Sequence, residues 1–129
     1  MNVLLATDAK PHSDKAVSFA IEYAALFKAA FYVVYVVSPR PGEDREKTVK
    51  TSMAVLEEVK KKAASSGVEV TALPEAGSPY EAILAVAERV KADVIIVGTS
   101  GKKMVDRVLI GSVSEYIVRN ARCTVIVVK

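Results

Sequence analysis

Short aliphatic runs alternate along this chain with longer segments whose apolar residues recur every three or four positions, and few folds accommodate that alternation. Val3–Thr7 is the first run, closed by Asp8-Ala9-Lys10-Pro11. Ser13 then stands where a helix cap belongs, ahead of the stripe Ala16, Ala20, Tyr23, Ala24 and Phe27. Ala30–Val37 is a β-branched and aromatic strand, stopped by Ser38-Pro39-Arg40-Pro41-Gly42. A second stripe, Val49, Met53, Leu56, Val59 and Ala63, ends at Ser65-Ser66-Gly67, and a strand follows at Val68–Leu73. Ser78-Pro79-Tyr80-Glu81 has the form of a capping box with proline at the first helical position, ahead of the stripe Ile83, Val86, Ala87 and Val90. Asp93–Val97 is the fourth strand. Ser112-Val113-Ser114-Glu115 repeats the capping pattern before Ile117 and Val118, and Cys123–Val128 is the last strand.

Strands alternating with helices predict an α/β fold, a doubly wound parallel sheet of five strands with helices on both faces. Unbroken runs such as Val94-Ile95-Ile96-Val97 suit strands covered on both sides. No linker, low-complexity stretch or repeat interrupts the pattern, so residues 1–129 read as one domain. With 129 residues, 51% of them apolar, the chain should bury roughly two-thirds of its unfolded surface, enough for a core without staples.

Composition removes several function classes. One cysteine leaves no disulfide framework or thiolate metal cage, and one histidine leaves no histidine-rich metal site. Lys and Arg number 18 against 15 Asp and Glu, a net charge of +3, far from the clustered excess of a nucleic-acid binder. The densest run, Lys60-Lys61-Lys62, reads as a solvated face at a helix C-terminus. No window reaches 18 uninterrupted apolar residues, and Met1–Asp8 lacks a basic leader. The expectation is a soluble cytoplasmic protein with no nucleic-acid or membrane partner.

In a doubly wound sheet, ligands bind beyond the carboxyl ends of the strands. Asp8 lies there after the first strand, and Gly98-Thr99-Ser100-Gly101 after the fourth, with Gly111-Ser112-Val113-Ser114 nine residues further on at a helix start. Glycines permit close backbone approach and positive φ, and a helix N-terminus offers free amides to an anion. The hydroxyls of Ser100, Ser112 and Ser114 are further donors. Taken singly, Gly98 and Gly111 read equally well as turn punctuation; together they outline a phosphate cradle. It is not a Walker A loop, because no Gly-Lys-Ser/Thr follows the first strand.

With these residues the whole chain resembles the universal stress protein family, in particular its ATP-binding branch. The resemblance runs from the opening strand and Asp8, through Tyr35-Val36-Val37 and Gly98–Ser114, to Cys123–Val128. It implies a Rossmann-like sheet of order 3-2-1-4-5 and ATP as cofactor, with Mg or Mn held mainly by the phosphates. It places Ala6, Thr7 and Asp8 at adenine or ribose, Val36 against the base, and Val97 and Gly98 near the ribose. Gly101, Gly111, Ser112, Ser114 and the Val113 amide fall at the phosphates. The chain departs from the family pattern after Asp8, where Ala9-Lys10-Pro11-His12 replaces a frequent Gly-Ser, and at Ser100, which is often Arg or His; Lys10, Lys102 and Lys103 are the nearby cations.

No residue is assigned a catalytic role. Asp8 by itself reads as an acceptor for a ribose hydroxyl, a metal holder through water, or a strand terminator. His12 is read as an exposed turn residue or one that approaches the mouth of the site, and Cys123 as a buried structural thiol. Only the cradle of a phosphoryl-transfer site is visible, which favours a nucleotide-dependent regulator over a turnover enzyme; slow ATP hydrolysis and a non-binding interaction dimer are the alternatives. Given the order 3-2-1-4-5, Cys123–Val128 is an edge strand with no charge or proline, so a homodimer through that edge is expected.

Overall fold

In the computed structural model, residues 1–99 and 110–129 are described in full, and 103–104 and 107–108 by their backbone. Strands β1 (Asn2–Ala6), β2 (Ala30–Val37), β3 (Val70–Ala76), β4 (Val94–Gly98) and β5 (Thr124–Val128) form one parallel sheet in the order β3-β2-β1-β4-β5. Helices α1 (Asp14–Phe27), α2 (Arg45–Ala64), α3 (Pro79–Arg89) and α4 (Ser112–Asn120) connect or follow them. Lys103–Met104 and Arg107–Val108 add a separate antiparallel pair that the sequence pattern did not signal.

The two-residue period of the strands explains their unbroken aliphatic runs. Val3, Leu5, Phe31, Val33 and Ile96 face the layer of α1 and α2, while Leu4, Val34, Ile95 and Val97 face α3 and α4. Alanines at 16, 20 and 24 let α1 lie close to the sheet. A methyl group at Gly98 would sit 3.5 Å from the Ala16 Cβ, ordinary contact, so anything larger there would press on α1.

Two helical stripes are shorter than the sequence suggests. Val49 and Met53 are 59% and 56% exposed, and burial on α2 is confined to Ser52, Leu56, Val59 and Ala63. Twenty helical residues span about 30 Å, whereas strands of five to eight residues cover about 17–26 Å. The first turns of α2 therefore overhang the sheet. Phe27 is likewise exposed, at the end of an aromatic row in which Phe19 and Phe27 lie 6.0 and 4.6 Å from Tyr23.

Strand β3 begins two residues later than expected and runs on through Pro74 to Ala76. A proline is compatible with an edge strand, where its missing amide faces no partner. Glu75 of this edge is paired with Arg89 at 2.8 Å. The opposite edge, β5, has no such protection: Thr124-Val125-Ile126-Val127-Val128 pairs with β4 alone among the described residues. None of the helices among these residues is long and apolar enough to cross a membrane.

Cys123 lies one residue before β5, partly buried against the α3–α4 layer. Burial and then the Asp93 carboxylate push its thiol up from the ordinary value. Because the thiolate forms more readily in the unfolded chain, stability should fall as pH rises through the usual thiol range. Iodoacetamide should accordingly modify native Cys123 more slowly than the unfolded chain; equal rates would refute this.

Candidate functional site

The order of the sheet reverses at β1, which pairs with β2 on one side and β4 on the other, and a crevice opens at the carboxyl ends there. Its floor is apolar: Ala6 is in register with both Val34 and Val97, and Val36 continues the same face. Its walls are the β1–α1 loop, the start of α3 at Pro79 and Ile83, Gly98 at the end of β4 with Thr99 after it, and Gly111–Ser114. The cavity measures about 370 Å³, within the range of small-molecule sites.

The β1–α1 loop is closed by a hydrogen-bond chain whose direction is fixed by counting hydrogens. Ser13 Oγ spends its one hydrogen on the Lys10 carbonyl at 2.7 Å. The Thr7 hydroxyl must then donate to Ser13 Oγ, 3.3 Å away, while accepting from the Ala9 amide at 3.1 Å. Ser13, read from sequence as a helix cap, instead serves this chain, and its side chain makes no capping bond. Ala9 is held at φ 64°, a left-handed conformation costing an L-residue about 1–2 kcal/mol. Thr7 and Ser13 are both buried, so Thr7→Val, which keeps the shape but orphans the Ala9 amide, should destabilise by about 1–2 kcal/mol. Urea denaturation checks this; an unchanged midpoint would remove the chain from the account.

The loop presents Asp8 at the crevice with both carboxylate oxygens engaged locally. Oδ1 accepts from the Lys10 amide at 3.0 Å, and Oδ2 lies 2.9 Å from His12 Nε2. His12 is thus tied to Asp8 with its side chain only 27% exposed, and it stands at the mouth of the crevice rather than fully in solvent.

On the far wall, Gly111 caps α4 in extended conformation, so Ser112 is already helical. Among the described residues no group accepts from the amides of Ser112, Val113 and Ser114, as helix geometry requires of a first turn. The expected capping boxes do not form at α3 or α4. At α4 the hydroxyls have other partners: Ser114 Oγ donates to the Gly98 carbonyl, and Ser112 Oγ lies 2.9 Å from the Tyr80 hydroxyl. Ser114 is buried with its hydrogen committed, so its hydroxyl ties α4 to β4 and is not a spare donor. Neither Gly98 nor Gly111 occupies the left-handed region, so what they supply is room and not φ.

Ala6, Thr7, Asp8, Val36, Val97, Gly98, Gly111, Ser112, Val113 and Ser114 all line this one cavity. Ser100 and Gly101 lie outside the described residues. Lys10, the nearby cation, and His12 line it too, and Ser13, Val34, Pro79, Ile83 and Thr99 join them without having been expected as contacts. Val34 was within reach of the sequence, two positions before Val36 on the same strand face.

These features define a class: a doubly wound α/β protein with an apolar-floored, polar-rimmed crevice at the sheet's switch point and a helix N-terminus in its wall. The chain belongs to the universal stress protein family, whose sequence profile matches residues 1–129. A universal stress protein of Methanocaldococcus jannaschii is 37% identical over 137 residues, 98% of this chain and 81% of that protein. A solved universal stress protein from Archaeoglobus fulgidus has the same fold, with a TM-score of 0.85 at 23% identity, covering 100% of this chain and 98% of that one. Another universal stress protein, solved in complex with cAMP, gives a TM-score of 0.81 at 27% identity over 99% of this chain and 95% of that one.

Proposed function

We propose that the crevice binds ATP, with Mg or Mn carried mainly on the phosphates, and that the protein is a nucleotide-dependent regulator in a stress response. The observation carrying this reading is the first turn of α4, whose amides have no acceptor among the described residues and which stands in the wall of a cavity floored by Ala6, Val36 and Val97. Amides and the helix dipole suit a phosphate, and the apolar floor suits a base. The relative in complex with cAMP supports a nucleotide as the ligand class. Asp8, engaged at both oxygens, suits a fixed acceptor for a ribose hydroxyl better than a base, so the reading is binding and switching without efficient turnover.

The same reading includes a two-fold homodimer through β5. The contrast between the edges supports it: β3 has Pro74 and the Glu75–Arg89 pair, while β5 presents only threonine, valine and isoleucine. Sedimentation equilibrium should give twice the mass of the chain.

Thermal unfolding with added nucleotide tests the binding. At Mg-ATP one hundred times its Kd, linkage adds about 2.7 kcal/mol, which is roughly 10 °C for a chain of this size. AMP at the same concentration should shift it less. No shift with millimolar ATP would contradict the proposal.

A further inference from the structure

Tyr80 is the second residue of α3 and stands behind the cavity wall without lining it. Its hydroxyl is 2.9 Å from Ser112 Oγ, and its ring meets Tyr116 edge-on, 5.3 Å between centroids at 81°. Ser112 and Tyr116 are four apart on α4, hence on one helix face, so a single side chain of α3 is fixed by both. Ser112 itself does line the cavity.

We infer that Tyr80 is a positioning residue for the anion end of the site, acting through Ser112. The inference rests on the nucleotide reading above. A phenol is more acidic than an aliphatic hydroxyl, so the Tyr80 O–H is the natural donor in this pair. Ser112 Oγ, accepting from Tyr80 through one of its lone pairs, keeps its own hydrogen to donate to a phosphate oxygen. The chain from phenol to serine to anion strengthens each bond in it. Tyr80 does not plug the crevice; it sets the direction in which Ser112 donates.

Calorimetric titrations of the wild type, Tyr80→Phe, Ser112→Ala and the double variant, with Mg-ATP and with adenosine, test this. Tyr80→Phe keeps the ring and its contact with Tyr116 and removes only the hydroxyl. It should weaken ATP about 3- to 10-fold and leave adenosine unchanged. In the Ser112→Ala background the same change should have no further effect. An equal loss for adenosine, an undiminished loss in the Ser112→Ala background, or unchanged or tighter ATP binding in Tyr80→Phe would overturn the role of Tyr80 while leaving the nucleotide reading intact. Failure of the wild type to bind ATP would overturn both.

Discussion

Ser112→Asp is expected to remain fully folded and to lose ATP. A carboxylate at the first position of α4 would face the site assigned to the phosphates. At the effective dielectric of a protein surface, two like charges about 4 Å apart repel by about 4 kcal/mol, so affinity should fall at least about 100-fold. The same carboxylate lies at the positive end of the helix dipole, which should raise stability by about 0.3–1 kcal/mol. Opposite signs for binding and stability make the result informative, because a variant that merely unfolded would lose both. Ser112→Ala removes one donor and should lose much less ATP affinity. Titration and thermal unfolding of the two variants check this; full ATP affinity in Ser112→Asp would move the phosphates away from α4.

The largest expected effect on stability is that of Ile117→Ala, about 3–4 kcal/mol. Ile117 is 0% exposed and anchors α4 in the layer that covers Leu4, Ile95 and Val97. A helix of nine residues has no stability of its own, so its place depends on this side chain and on the Ser114 bond to the Gly98 carbonyl. The midpoint of thermal unfolding should drop by roughly 10–15 °C. Its neighbour Val118 is 50% exposed, and Val118→Ala should cost less than about 1 kcal/mol. Equal losses at the two positions would contradict the packing described for α4.

The positions of the candidate site residues around one crevice follow closely from the sequence because topology does most of the placing. Residues at the ends of β1 and β4 must meet at the point where the strand order reverses, and Ala6, Asp8, Val97 and Gly98 do. What the sequence could not reveal depends on partners far away in the chain. The spacing of Ser112 and Glu115 looks like a capping box, but the cap position falls on Gly111, and Ser112, already one residue into the helix, meets Tyr80, 32 positions away. Pro79 and Ile83 enter the wall only because α3 returns beside α4. The exposure of Val49 and Met53 reflects the length of α2 against the sheet, which a periodic stripe does not encode. The Asp8–His12 contact was nearer to hand, since the two are four residues apart across a short turn.

The central claim, that the crevice takes a nucleoside polyphosphate by its base on the Ala6–Val36–Val97 floor and its phosphates on α4, is tested most directly by calorimetric titration of nucleotide-free protein with Mg-ATP, with AMP beside it. The expected result is a Kd for ATP at or below some tens of micromolar, well below that for AMP, the difference being the work of the helix N-terminus. No detectable binding at millimolar ATP, or equal affinity for AMP, would contradict it.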